Sequence, residues 1–336
     1  MLGGTTAGAF LVELPYFVVQ PGSVRSADER VDILGSADGD PDGEVFFTTV
    51  YLHQATPALM ARAWLDDAIE IRTAEEMYPD GDRDEQRQLN RQRMDLSKLV
   101  ATRVALDYLG IEAEYDSDGT RVLGVMPESP SVDVLRPDDV IVEVDGGEIG
   151  MPSDIADELD GRRPGDTVDL LVRRDGGDDG GDETVEERVS VELAADPEDP
   201  ERPMLGIEAE PASPVVRSEV EVSVDSGEVS GPSAGLAWTL AIIDRLSPGS
   251  LTDGRSIAVT GEIRDDGSVG EVGGVAQKTA AVKRRGVDVF IFPADTPDVV
   301  QEEMRRIAGD DLELRPVATL DDAIEALAPD GVEPPA

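Results

Sequence analysis

The sequence predicts a mixed fold, α/β with α+β character, in which a C-terminal α/β domain follows a smaller β-rich one. Two observations carry this. From Met204 to about Ala328, strand-like runs alternate with helical patterns at Ser233–Leu246, Val275–Arg285, Pro297–Ala308 and Leu320–Leu327. Residues 108–196 instead string short β-branched segments between turns such as Asp145-Gly146.

Taken in order, Leu2–Val19 is largely apolar but interrupted by Glu13 and Pro15. A spanning helix needs about 20 apolar residues, and no basic segment precedes this one. On composition it is either the tail of a membrane anchor or a buried strand. Val31–Leu34 reads as a short strand, Ser36–Gly43 as a turn-rich loop and Glu44–Leu52 as a strand. Helical spacing runs from Pro57 to Ile71, with proline suited to a first turn. A long helix is expected over Asp84–Leu109, closed by Gly110. Residues 23–107 thus form an N-terminal α/β region with no assigned partner.

Within 108–196, a short helix is expected over Ser153–Leu159, with Ser153 as its cap. The acidic run at 175–183 reads as a solvated loop whose spacing fits no EF-hand, so no metal site is expected. Residues 197–203 read as a Pro- and acid-rich linker, 204–328 as the α/β domain and 329–336 as a frayed tail.

Composition narrows the function classes. Twenty-nine basic and 73 acidic residues leave a net charge of -44, which argues against nucleic acid, since phosphate binding needs basic patches. Such a surface also suits a salt-rich environment, where counterions screen self-repulsion. The chain has no cysteine, so disulfides, thiolate zinc sites and a Cys nucleophile are excluded.

Chemistry concentrates around Gly231–Gly235, GPSAG, a formal G-x-S-x-G match. In an α/β-hydrolase the serine would be followed by an acid and then a histidine. The single histidine, His53, lies far upstream, so that triad order is excluded. A serine still needs a base, and a lysine held neutral by burial can serve. There are three lysines: Lys98, Lys278 and Lys283. Lys278 follows the Gly273-Gly274 turn among apolar residues, Lys283 sits beside Arg284 and Arg285 near a helix end, and Lys98 lies in the long polar helix.

SGPSAGLAWTLAIIDRL and IAVTGEIRDDGSVGEVGGVAQKTAAVKRRGVDVFIFP resemble the proteolytic domain of Lon-type serine proteases, and the likeness extends over Met204–Leu327. Linked blocks agree in order and spacing: PSAG, TGEI, a Gly-rich turn and GG-x3-K, with serine and lysine 45 residues apart. The resemblance implies Ser233 as nucleophile, Lys278 as general base and Thr260 as the partner that orients the lysine. Gly231, Pro232 and Ala234 would shape the approach and the oxyanion-binding turn. Ser230 departs from the family, which has Asp there, or Gly in its tethered members; this touches the rim.

Upstream, residues 108–196 resemble a PDZ domain. Leu109-Gly110-Ile111 matches its carboxylate-binding loop, and GVMPESPSVDVLRPDDVIVEVDGGEI the run after it. The pattern departs at Asp138-Asp139-Val140-Ile141, where the family has Gly-Asp-x-Ile. No G-x4-G-K-[ST] occurs in these 336 residues.

The layout resembles PDZ-containing Lon-type proteases of Gram-positive bacteria, tethered by one N-terminal helix. The resemblance implies an ATP-independent, cofactor-free endopeptidase acting on protein or peptide substrates. It implies a single-pass anchor in the cell membrane, with residues 1–22 as its remnant, and an extracytoplasmic catalytic domain. A homo-oligomer is within what it implies. The rival readings are a scaffold with weak or no catalysis and a self-processing protein.

Overall fold

The computed structural model describes residues 14–34, 43–66, 68–77, 83–127, 129–175, 184–197 and 199–328. Residues 1–13, most of the loops expected at 36–43 and 175–183, and the tail at 329–336 lie outside the described residues.

Along the chain, strands β1 (Tyr16–Ser26), β2 (Glu44–Gln54) and β3 (Glu70–Thr73) precede the long helix α1 (Arg83–Tyr108). Then come β4 (Thr120–Val125), β5 (Val140–Val144), helix α2 (Pro152–Glu158), β6 (Thr167–Asp175), β7 (Thr184–Glu192) and β8 (Ile207–Pro211). Helix α3 (Gly235–Leu246), β9 (Ser256–Val259), α4 (Val275–Arg285), β10 (Val289–Pro293), α5 (Asp298–Ala308), β11 (Glu313–Val317) and α6 (Leu320–Leu327) complete it. The chain divides into two compact units, Met1–Ala113 with Ser218–Ala336, and Glu114–Arg217.

The first unit is built on a six-stranded sheet in the order β11-β10-β9-β2-β1-β3. Its C-terminal strands pair in parallel, and β2 joins them parallel to β9, with Ile257 opposite Val45 and Val259 opposite Phe47. β1 then pairs antiparallel with β2 and with β3. Residues 23–107 are therefore part of the C-terminal domain. The same pairing corrects the reading of residues 16–22 as anchor remnant: Phe17, Val18 and Val19 are buried in the sheet. Among the described residues no helix is long and apolar enough to cross a membrane.

Helix α3 is buried on every side from Gly235 to Asp244, a stretch that is apolar except for Thr239 and Asp244. Trp238 is fully buried, its ring 4.7 Å from that of Phe47 on β2. This contact ties the helix that follows the serine turn to a strand nearly 200 residues upstream. Truncating Trp238 to Ala would cost about 3–5 kcal/mol.

The second unit holds the sheet β7-β6-β5-β4-β8 around a core of Val122, Ile141, Leu170, Val172 and Leu205. Strand β8 pairs antiparallel with β4, so residues 207–211 belong to this unit. The expected linker at 197–203 and the boundary at 204 are accordingly displaced toward residue 217. Helix α2 starts at Pro152, one residue before the expected cap, and Asp154 accepts the N–H groups of Gly150 and Met151 at 2.9 and 2.7 Å. Asp138, where the resembled pattern has glycine, adopts φ +72°. Asp139 beside it is buried and paired with Arg174 at 2.9 Å.

Candidate active site

The serine turn is held from three directions. Gly231 has φ +94°, a backbone state that favours glycine, and its N–H donates to Asn90 O at 2.9 Å. Pro232–Ala234 forms a single 3-10 turn that runs into α3. Ser97 Oγ on α1 donates to Pro232 O at 3.2 Å. Gly235 allows this close approach: a Cβ there would lie 2.7 Å from Ser97 Oγ and 3.1 Å from Ile263 N. The carbonyl of Ser233 accepts Gly261 N–H at 3.0 Å and Thr260 Oγ1 at 3.2 Å. The backbone of Ser233 is thus pinned, while the residue stays partly exposed.

Lys278 lies in the first turns of α4, whose N-terminus is set by Gly274 at φ +70°. It is 2% exposed, whereas Lys98 pairs with Asp95 at 2.7 Å and the exposed Lys283 donates to Ile307 O at 2.8 Å. Lys278 Nζ donates to Thr260 Oγ1 at 2.8 Å, and Thr260 is itself fully buried. No carboxylate pairs with Lys278 among the described residues. Burial alone lowers its pKa from 10.5 to about 7. An amine in that condition holds an available lone pair near neutrality.

Ser233 and Lys278 both line one cleft of about 580 Å³, together with Gly231 and Ser230. Pro232, Ala234 and Thr260 support this wall from behind, Ala234 and Thr260 being buried. The opposite wall comes from the N-terminal strands: Val19 and Arg25 on β1, Thr48 and Leu52 on β2, and Arg72 on β3. Sequence reading missed this wall and the supports Asn90 and Ser97, because strand pairing across some 200 residues leaves no local signal.

Leu109-Gly110-Ile111 is placed elsewhere than expected. Gly110, at φ +74°, donates its N–H to Asp107 O at 3.0 Å, and Ile111 N–H donates to Leu106 O at 3.0 Å. Both groups are spent closing helix α1, in the first unit, and neither can capture a carboxylate. The hexapeptide LGIEAE recurs, however, at residues 205–210. This second copy leads into β8, which ends its sheet with one edge unpaired among the described strands. Beside it lies a groove of about 590 Å³ lined by Ile155, Leu159, Arg162, Gly206, Ile207 and Ala209. Gly206 has φ +69°, and Leu205 O accepts the hydroxyls of Ser129, at 2.9 Å, and Ser131. The repeated hexapeptide was the available signal for this placement.

No group of three or more His, Cys, Asp or Glu side chains able to hold a metal occurs among the described residues.

Comparison with known proteins places these features. Residues 207–329 match the Lon protease (S16) C-terminal proteolytic domain, and residues 107–186 match the PDZ domain. The Lon protease of Koribacter versatilis is 31% identical over 115 residues, 34% of this chain and 14% of that protein. The Lon protease of Ureaplasma parvum is 37% identical over 94 residues, 27% of this chain and 12% of that protein. The chain thus spans a small fraction of the length of these curated relatives. The PDZ domain of the SdrC-like protein from Listeria monocytogenes is 29% identical, covers 27% of this chain and 87% of its own, and has a TM-score of 0.23.

Proposed function

Because the chain carries a PDZ domain followed by a Lon-type proteolytic domain, we propose that it is a serine endopeptidase working through a Ser233–Lys278 dyad without ATP. The observation that carries this reading is the hydrogen bond from the buried Lys278 to Thr260, which itself bonds the serine residue.

In the proposed reaction, Ser233 Oγ attacks the scissile carbonyl while neutral Lys278 Nζ takes its proton. The tetrahedral oxyanion is received by backbone N–H groups of Ser233 and Ala234 in the turn after Pro232. The resulting ammonium, held by Thr260 Oγ1, protonates the leaving amine. Water then attacks the acyl ester, its proton passing to Lys278 and back to Ser233 as the acid leaves. Every step uses groups of this chain. What supports ATP independence is that no step of this reaction consumes a nucleotide.

The PDZ unit is proposed to capture substrate termini by strand addition to β8. The loop Met204–Gly206 would receive the terminal carboxylate, and Ile155 and Leu159 the last side chain. The membrane tether and extracytoplasmic placement are carried by the resemblance of the domain layout alone. The rival reading, a binding scaffold without catalysis, predicts no turnover. Cleavage of an unfolded protein in ATP-free buffer, across a salt series, separates them. The proposal expects cleavage that Ser233→Ala abolishes; equal rates for both chains would sink it.

A further inference from the structure

Two arginines line the cleft, and they differ in a way that bears on what the cleft accepts. Arg72 is engaged: its Nε donates to Glu70 Oε1 at 2.8 Å, a pair that neutralises both charges on that wall. Arg25 has no carboxylate partner among the described residues. Its Nε donates to the hydroxyl of Ser23 at 3.0 Å, and among the described residues the guanidinium has no other hydrogen-bond partner. This holds in a chain where 73 acidic residues outnumber 29 basic ones. Arg25 is also partly buried, and it lines the same cleft as Ser233 and Lys278. The remaining carboxylate on the cleft wall, Glu228, is exposed at the rim, where water screens it.

A partly buried guanidinium in a concave site is poised for a carboxylate, which it binds by two parallel N–H···O bonds. Its anchoring by Ser23 fixes the fork at no cost in charge, since a hydroxyl neutralises nothing. We infer that Arg25 forms an acidic-side-chain subsite of the cleft, so that the enzyme selects substrates with Asp or Glu close to the scissile bond. The inference rests on the protease reading above and adds a substrate class to it.

The test is a library of internally quenched peptides in which each position near the cleaved bond is varied among Glu, Gln and Lys. Cleavage is followed without ATP by the full chain and by Arg25→Gln, Arg25→Lys and Arg25→Glu. The wild type is expected to cut the Glu peptide about tenfold faster than its Gln counterpart at one position, in kcat/KM, as a charge-assisted bond implies. Arg25→Gln brings that ratio close to one, Arg25→Lys keeps part of it, and Arg25→Glu turns the preference toward Lys. Each ratio is taken within one variant, so a loss of folded protein cancels. A wild type that cuts every peptide with no preference for Glu, or a preference that Arg25→Gln leaves intact, overturns the Arg25 subsite and leaves the protease reading standing. A wild type that prefers Lys assigns selection to Glu228 and equally overturns it. If no peptide is cut under any condition, the protease reading fails and the subsite fails with it.

Discussion

Lys278 Nζ lies 2.8 Å from Thr260 Oγ1, and the hydroxyl proton of Thr260 goes to the carbonyl of Ser233. One threonine therefore registers the amine on α4 against the serine turn ahead of α3. Removing that oxygen leaves the lysine buried without its partner. Thr260→Val is expected to lower kcat about 10–100-fold with little change in KM, and Thr260→Ser to restore most of it. Steady-state kinetics on one peptide checks this. Equal activity in Thr260→Val would show that the bond has no catalytic consequence.

The lowered pKa of Lys278 has a consequence for rate and another for stability. As the base must be neutral, kcat/KM should rise with pH through a limb near 7. Below about pH 7 the amine is charged in both folded and unfolded chains, and the native state bears the full cost of a buried ammonium. Between about 7 and 10.5 the native chain has lost the proton while the unfolded chain keeps it, so stability rises with pH. Lys278→Met should therefore be more stable than wild type at pH 6, by at most about 5 kcal/mol, with the advantage fading toward pH 10. Urea unfolding of both chains at the two pH values measures it.

Strand β2 lies between β9 and β1, with Phe47 packed against Trp238. Residues 207–329, the stretch that matches the proteolytic-domain family, lack β1, β2, β3 and α1. Expressed alone, that segment should not fold cooperatively. Circular dichroism and a thermal scan would detect this, and a sharp unfolding transition would contradict the role given to the N-terminal strands.

These outcomes also mark what the sequence made legible. Ser233, Lys278 and Thr260 stand in short linked blocks whose residue types are dictated by chemistry, and the structure brings all three to one place. The helices around them follow from local periodicity, and Gly110 was readable as a helix end from its position alone. The partners of β1 and β2 were not readable, because an apolar strand such as VFFTT advertises burial but not which sheet buries it. Leu109-Gly110-Ile111 misled for a related reason. The same hexapeptide closes a helix with its first three residues at 109–111 and borders a groove at 205–210, and only tertiary context separates the two uses.

The groove beside β8 yields a prediction of its own. A peptide ending in a free carboxylate and an apolar residue should bind the full chain, and its C-terminal amide should bind at least tenfold more weakly. Leu159→Glu places a charge in the groove and should weaken binding similarly. Fluorescence anisotropy with the paired peptides reads both. Equal affinity for acid and amide would remove the carboxylate-capture role from Met204–Gly206.

The dyad itself is tested most directly by trapping the acyl step. A serine-directed fluorophosphonate carrying a short peptide is incubated with the wild type, Ser233→Ala, Lys278→Ala and Lys278→Arg, and the adduct is mapped by mass spectrometry. The account predicts one adduct per chain on the peptide containing Ser233, none in Ser233→Ala, and labelling slowed at least 100-fold in both lysine variants, since arginine cannot give up its proton. An adduct on another residue, or lysine variants that label as fast as the wild type, would contradict it.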